Sequence, residues 1–311
     1  MVMCYGRESR IPLFYAMNAT PTFDLTSISE TFERLYWIRG EDSILVTDRE
    51  YGTYANSEFV KNDVDGFLMI LPNTDRNVKE SIAAVKDTIV DSSNYYSLPN
   101  GSHGFVTTKK IFGRHPYVQH LYYNEEDEER DMGVFFTLVE ICQRELEQNI
   151  IIPAHMPLYT RFFNMGAGTA LARKEVNSNK VMDYASSAGY MAMISDIMTD
   201  PTEAMWWKYK MNQCSNLFTN IKNAQDSPRL KLFSEHNIEA RTFIQFIAYI
   251  LHSAVLKNLE DGSLTREFTV QSAVREMSGI MQISDGTYKR PRMTKSNYRQ
   301  DILMRNAGIT N

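Results

Sequence analysis

An α/β fold is predicted by three apolar, β-prone runs and by what separates them. Residues 43–46 (Ser-Ile-Leu-Val), 67–71 (Phe-Leu-Met-Ile-Leu) and 190–195 (Tyr-Met-Ala-Met-Ile-Ser) read as buried strands. A short helix between the first two gives a strand, helix, strand, helix, strand order, which sets helices against a sheet.

Taken in order, residues 3–15 predict a strand pair around a turn at 7–10. Between 25 and 38, apolar positions recur at Ile28, Phe32 and Leu35 behind the candidate N-cap Asp24, the pattern of an amphipathic helix. The strand at 43–46 ends at Thr47-Asp48, and that at 67–71 follows a short helix. Residues 72–185 break the rhythm at Pro72, Ser92-Ser93-Asn94, Pro99-Asn100-Gly101 and Pro153, predicting an inserted region. Within it, 105–111 and 117–123 read as strands. A helix follows whose apolar residues Met132, Phe135, Val139, Cys142 and Leu146 recur at intervals of three and four. The acidic run 125–129 opens that helix, where carboxylates suit the N-terminal dipole, and reads as a solvated cap and not a metal site. After the strand at 190–195, Asp200-Pro201-Thr202-Glu203 supplies an N-cap, an N1 proline and an N3 glutamate for a long helix. The segment from Arg241 onward, RTFIQFIAYILHSAVLKNL, is apolar nearly all round and predicts a buried helix. No internal repeat or low-complexity tract is present.

With 43% hydrophobic and 23% charged residues, the 311-residue chain has a globular composition, which excludes disordered, collagen-like and disulfide-scaffold classes. The first ten residues hold Arg7, Glu8 and Arg10 and no apolar core; residues 242–256, the longest apolar stretch, are interrupted by Gln245 and His252 and fall short of the ~20 a span needs. Neither a signal peptide nor a membrane span is expected. Cys4, Cys142 and Cys214 are scattered without a C-x-x-C spacing, so they predict neither a disulfide framework nor a zinc site. A reducing compartment, the cytoplasm, follows.

Residues 1–200 carry 18 Lys+Arg against 28 Asp+Glu, and 201–311 carry 15 against 10, so the two parts bear −10 and +5. The densest basic stretch, KRPRMTKSNYR, holds Lys289, Arg290, Arg292, Lys295 and Arg299 with no acid among them. It reads either as a phosphate-backbone contact, weakened by salt, or as a solvated surface tail.

Three further segments carry a resemblance. ESRIPLFYAMNATPTFD, then a helix and DSILVTDREYGT, resembles the region from the second strand to the second aspartate of the DDE transposases of bacterial insertion sequences. GYMAMISDIMTDPTEAMWWKYKMNQCSNLFTNIKN with RTFIQFIAYIL resembles the strand, signature helix and buried helix that close the same domain, and YVQHLYYNEEDEERDMGVFF resembles part of the intervening insertion. The likeness covers nearly the whole chain in the family's order. It implies an RNase H-like mixed sheet with flanking helices, interrupted by an α+β insertion and followed by a basic C-terminal tail. The parts would be 1–71 and 186–262 for the catalytic domain, 72–185 for the insertion and 263–311 for the basic region.

Such enzymes use two Asp and one Glu to hold two Mg²⁺ ions that activate water or a 3′-hydroxyl for phosphoryl transfer at DNA ends. The resemblance makes Asp48 the second aspartate and a metal ligand, at the carboxyl end of a central strand. The alternative is that Asp48 only caps the turn before Tyr51-Gly52. The family's helix carries Tyr, Arg, Glu and Lys with two, three and six residues between them, all on one face. Anchored on Tyr209, that pattern falls on Asn212, Asn216 and Asn223, so an amide stands where the catalytic Glu belongs. Anchored on Phe218 and Lys222, it puts Ser215 there. The resemblance places the first aspartate on a strand upstream of Met1, so the chain reads as a truncated, impaired copy with one carboxylate of three. Asp24 matches the conventional acid after a turn and is not that ligand.

His103, His115 and His120 read as ordinary strand histidines, Gly166-Ala167-Gly168 as a loop, and Trp206 and Trp207 as packing aromatics or, alternatively, base-stacking ones. The function implied is DNA transposition and recombination, with the ends of an insertion element as partner, a possible homodimer, and DNA contacts from Tyr209, Asn212, Lys222, Asn223 and the five basic residues near 289–299. The alternative is a non-catalytic DNA-binding or dimerising remnant that regulates transposition.

Overall fold

The structure, a computed structural model, describes residues 2–6, 8–16, 43–49, 51–60, 64–99, 101–112, 116–164, 175–225, 235–283 and 292–309. The chain divides into two compact units, Met1–Pro21 with Gln213–Asn311, and Thr22–Asn212. The amphipathic helix expected at 25–38, with Asp24, lies outside the described residues.

Strands β1 (Val2–Tyr5) and β2 (Pro12–Ala16) form an antiparallel two-stranded sheet of their own, the strand pair that residues 3–15 predicted. In the unit Thr22–Asn212, strand β3 (Ile44–Thr47) leads through helix α1 (Tyr54–Val60) to β4 (Gly66–Leu71), and the two strands pair in parallel, Ile44 opposite Gly66 and Thr47 opposite Met69. Two parallel strands need a crossover, and α1 is it. Helix α2 (Arg76–Val85) follows, begun by Asp75, whose carboxylate accepts from the Asn77 and Val78 amides. Strands β5 (Tyr95–Ser97), β6 (His103–Phe112) and β7 (Pro116–Tyr123) come next. Helices α3 (Glu125–Glu147), α4 (Met156–Phe162) and α5 (Ser178–Ala185) then lead to β8 (Tyr190–Ser195) and to helix α6 (Pro201–Gln225).

The sheet runs β3-β4-β8-β7-β6-β5, antiparallel except at β3/β4, so the fold is mixed α/β with flanking helices. Strand β4 pairs directly with β8, Leu68 opposite Ser195, and β8 pairs onward with β7, Val118 opposite Ser195. Residues 72–185 therefore widen the sheet by three strands as well as supplying helices. One correction concerns β3: the strand that ends at Asp48 is the edge of the sheet, not a central strand, and among the described residues nothing pairs with its outer side.

Alternation along the strands sends side chains to two cores. Phe67, Met69 and Leu71 point into one, with Leu45 from β3, Val60 at the end of α1, and Val78 and Ile82 of α2. Leu68 and Ile70 point into the other, with Val106, Tyr122, Met193, Met198 just before α6, and Ala204 and Met205 in its first turns. A third, helical core joins Phe135, Cys142 and Leu146 of α3 to Tyr159 and Phe162 of α4 and the adjoining Phe163. Loop closure demands glycine at two points. A Cβ on Gly52 would lie 1.7 Å from the Ile70 carbonyl oxygen. Gly189 has φ +74°, and a Cβ there would meet Glu128 at 2.7 Å.

In the other unit, helix α7 (Glu235–Asp261) covers the sequence expected to be buried all round. Thr242, Phe246, Tyr249 and Leu259 are buried, but Phe243 (55%), Ile244 (66%), Ile247 (40%) and Leu251 (63%) are exposed. The helix thus buries one side only, with Phe246 against Tyr15 of β2 at 4.9 Å between ring centroids. The basic C-terminal region is more than a tail. Helices α8 (Val270–Met277) and α9 (Tyr298–Asn306) share a core of Leu259 from α7 with Phe268, Ala273 and Leu303, and the short strands β9 (Gln282–Ile283) and β10 (Arg292–Met293) pair antiparallel. Capping boxes begin both helices, Thr269 with Ser272 and Asn297 with Gln300.

Candidate functional site

Open α/β sheets place their sites at the carboxyl ends of parallel strands. Here that end belongs to β3 and β4, and a cavity of about 200 Å³ opens beside it. Its walls include Arg49 after β3, Pro72, Asn73 and Thr74 after β4, and Lys79 on α2. Asp131 of α3, Arg161 of α4 and Asp183 and Tyr184 of α5 close the other side. Asn73 holds the floor: its side-chain amide donates to the carbonyls of Ser187 (3.0 Å) and Tyr190 (2.7 Å), which fixes the loop after β4 to the turn before β8. Lys79 pairs with Asp183 at 2.6 Å. Arg49 and Arg161 make no ion pair among the described residues; the Arg161 guanidinium sits 5.1 Å from the centroid of the Phe162 ring. Burial and Asp131 raise the pKa of the Tyr184 phenol, which Arg161 and Arg49 oppose, so both arginines act on the same ring.

Asp48 directly follows the last residue of β3 and is exposed. Its carboxylate accepts from the Arg49 amide at 2.7 Å, and its carbonyl accepts from the Tyr51 amide at 3.1 Å. The carbonyl bond closes a turn that any residue can make, and the carboxylate's own bond reaches only the next amide. Across from it, α6 brings the Lys208 ammonium. Burial pushes its pKa below the ordinary lysine value, Arg49 adds to that, and Asp127 and Asp48 oppose it. Asp127 is also held by Arg130 at 2.6 Å. The charge gathered at this end is therefore mixed in sign, and cations stand next to Asp48. Among the described residues, Asp48 belongs to no trio of closely spaced His, Cys, Asp or Glu groups. Two Mg²⁺ ions need several converging carboxylates; this arrangement does not fit them.

The start of α6 is built as its sequence predicts. Asp200 accepts from the Thr202 amide (2.8 Å) and hydroxyl (2.6 Å), and those bonds lower its carboxyl pKa. Tyr122 of β7 donates to the Pro201 carbonyl at 2.7 Å, which pins the helix to the sheet. Tyr209 and Asn212 are half-buried on α6. The side chains of Ser215, Asn216, Phe218, Lys222 and Asn223 lie on that helix outside the described residues, so the pairing of Asp48 with Asn216 rests on the sequence. Trp206 and Trp207 meet edge to face at 4.7 Å; Trp207 packs into the sheet core and Lys210 covers Trp206 at 5.1 Å, as packing aromatics do. Of the basic stretch, Lys289 and Arg290 lie outside the described residues, as does the side chain of Arg292, whose backbone is in β10. Lys295 is exposed, and the Arg299 guanidinium lies 4.4 Å from the centroid of Phe268.

The strand histidines behave as read from sequence: His103 stacks on Tyr95 at 5.6 Å, and buried His120 lies 2.9 Å from the Met198 carbonyl. His115 and Gly166-Ala167-Gly168 lie outside the described residues. Sequence reasoning missed one cluster. Cys142, Glu145 and His155 offer ligand atoms all within 4.8 Å of one another. The signal was available: Cys142 and Glu145 are three apart on one helix, and His155 follows one turn-and-loop later. Cysteine spacing by itself does not reveal it.

No helix among the described residues is long and apolar enough to cross a membrane. Comparison of the chain with protein-family models, with curated proteins and with solved structures returned no match.

Proposed function

We propose that this chain is a DNA-binding protein of the DDE-transposase kind that grips the phosphate backbone and does not cleave it. The observation that carries the reading is Asp48, which sits at the carboxyl end of the parallel pair in no close trio of ligand groups among the described residues, with Arg49 and Lys208 beside it and Arg161 in the adjoining cavity. The RNase H-like assignment belongs to this proposal. In its support are the β3-α1-β4 crossover and a long helix, α6, packed on one face of the sheet. Among the described residues nothing pairs with the outer edge of β3, where the reading expects a first strand, the one that carries the first aspartate in the family. In such a protein a magnesium ion at Asp48 would find no close trio of ligand groups among the described residues, and neighbouring cations would compete with it.

Phosphate recognition needs cations whose charge is not already spent on carboxylates, and Arg49 and Arg161 meet that condition. Lys222, Lys289, Arg290, Arg292 and Lys295 add basic character to the other unit, where Arg299 is paired with Glu276 at 3.7 Å, and the family resemblance adds Tyr209, Asn212 and Asn223 as DNA contacts. Anisotropy of labelled duplex DNA, titrated over a range of salt, tests the reading. The slope of log K against log salt should drop in magnitude by roughly 0.9 for each phosphate contact removed by substitution of a basic residue with Ala. Supercoiled plasmid with Mg²⁺ should stay intact. Nicking that is lost in Asp48→Ala would overturn the non-cleaving reading, and salt-independent or absent DNA binding would overturn the whole of it.

A further inference from the structure

The helical core of the sheet unit contains a group of side chains that the transposase reading does not use. Cys142 and Glu145 project from the same face of α3, three residues apart. The chain then leaves the helix at Asn149, whose φ of 56° turns it back, and a single 3₁₀ turn (Pro153–His155) brings His155 over Glu145. The His155 Nδ1 lies 2.9 Å from one carboxylate oxygen of Glu145 and 3.2 Å from the other. The Tyr159 hydroxyl also donates to that carboxylate and in turn accepts from the Ile152 amide at 3.3 Å. Cys142 is completely buried, forms no disulfide, and its sulfur has no hydrogen-bond partner among the described residues.

We propose that Cys142, Glu145 and His155 form a zinc-binding site with one open coordination position. A thiolate, an imidazole and a carboxylate together are a borderline-soft donor set; zinc takes them readily, whereas magnesium and calcium demand oxygen donors. Zinc bonds of about 2.3 Å to sulfur and about 2.0–2.1 Å to nitrogen and oxygen, at tetrahedral angles, put the three ligand atoms roughly 3.3–3.6 Å apart. The His155–Glu145 contact has only to open by a few tenths of an ångström, and the sulfur moves in from a separation of at most 4.8 Å. The His155 side chain is 26% exposed and that of Glu145 13%, so an ion enters from the His155 side while the sulfur closes the inner wall. Tyr159 holds the carboxylate in place from behind, as an outer-sphere partner does. Bound there, the ion ties the loop after α3 to the first turn of α4 and adds binding energy to the fold. Cys142 must lose its proton to bind, so zinc uptake releases a proton and strengthens as pH rises.

The experiment uses the full chain with Cys4 and Cys214 both replaced by serine, so that one thiol remains. Chelator-stripped protein is titrated with Zn²⁺ against a chromophoric competitor, and separately with Co²⁺, whose bond to a thiolate gives a charge-transfer band in the near ultraviolet. One equivalent of Zn²⁺, a Co²⁺–thiolate band and a rise in melting temperature with zinc are expected. Cys142→Ala and His155→Ala should each lower zinc affinity by more than the roughly 10–100-fold that follows loss of an outer-sphere partner, and Tyr159→Phe by no more than that. A cooperative melt and an unchanged circular dichroism spectrum qualify each variant. The Co²⁺ band needs no substitution at the site, so it stands even if a variant fails to fold. Absence of the band in the single-thiol protein, or its survival in Cys142→Ala, overturns the proposal. So does zinc affinity unchanged in His155→Ala.

Discussion

All six residues of β4 are buried, whereas helix α7, nearly as apolar along residues 242–251, leaves Phe243, Ile244, Ile247 and Leu251 between 40 and 66% exposed. The strand presents two faces, and each is covered: Phe67, Met69 and Leu71 by α1 and α2, Leu68 and Ile70 by α6. The helix has a cylinder of surface, and the neighbours described in its unit, chiefly β2 and the core around Phe268, reach one side of it. An apolar run states how much surface asks to be buried; it does not state how much partner surface exists. In a short strand the two nearly coincide, because two layers are enough. In a long helix they do not.

The comparison breaks most visibly at a matched pair of phenylalanines. Phe67→Ala removes a ring that is 0% exposed and stands edge-on to Tyr117 at 5.5 Å, and it should cost about 3–5 kcal/mol in urea unfolding. Phe243→Ala, on the open side of α7, should cost less than about 1 kcal/mol. Equal losses would mean that the Phe243 side of α7 is packed in solution.

Gly52→Ala comes next, because it strikes the seam beside β4 and not its face. The added Cβ would stand 1.7 Å from the Ile70 carbonyl oxygen, and that neighbour is backbone which cannot swing aside. A loss of about 1–3 kcal/mol or more is expected from forced overpacking, read from the same unfolding curves. A Gly52→Ala protein as stable as the native chain would show that the loop after β3 stands off from β4, and with it the wall of the cavity that holds Arg49.

Periodicity made the sheet unit legible. The run 190–195 is β8 to the residue, 67–71 is β4 short of Gly66, and Asp200-Pro201-Thr202 starts α6 as capping chemistry requires. Legibility failed where the information is not periodic. That β3 lies at the edge depends on which strand β8 chooses to pair, a long-range choice that no local pattern records. In the region after 262 the charge is the strongest sequence signal, and it masks two capping boxes, Thr269/Ser272 and Asn297/Gln300, whose spacing is local. Asp48 stands out by resemblance alone, since among the described residues its carboxylate bonds only the neighbouring Arg49 amide. Cys142 and Glu145 share a face of α3 by their spacing, but His155 joins them only because the chain reverses at Asn149.

A third expected effect is confined to acid. His120 faces the Met198 carbonyl, with its other nitrogen 3.3 Å from the Thr108 hydroxyl, and it joins β7 to the segment that leads into α6. Burial lowers its pKa from the ordinary 6.5, against the smaller opposing pull of the Met198 carbonyl and Asp200. A depressed folded-state pKa means that the unfolded chain binds the proton more tightly. Its contribution to stability is thus fully present above about pH 6.5 and is lost as pH falls through the folded value. Stability measured from pH 8 downward should begin to decline near 6.5, and His120→Asn should flatten that part of the curve. An unchanged curve would assign the acid sensitivity to other groups.

The smallest effect on stability is expected on the open side of α7, and it sharpens the comparison most. Ile244→Gln and Leu251→Gln replace side chains 66 and 63% exposed, so little apolar burial is lost and the helix keeps its Phe246 and Tyr249 side. Glutamine is close to leucine in helix propensity and better than isoleucine, so the backbone preference does not fall. The melting free energy should stay within about 0.5 kcal/mol of the native value. Solution behaviour should change more, because Phe243, Ile244, Ile247 and Leu251 line up along one helical side as an exposed apolar strip, the kind of surface that drives association. Light scattering against concentration should show less self-association in the double variant than in the native chain. A double variant that loses several kcal/mol would place those side chains in a core and remove the contrast with β4. One that keeps both its stability and its scattering would mean that the strip is solvated and the helix stable without a partner on that side.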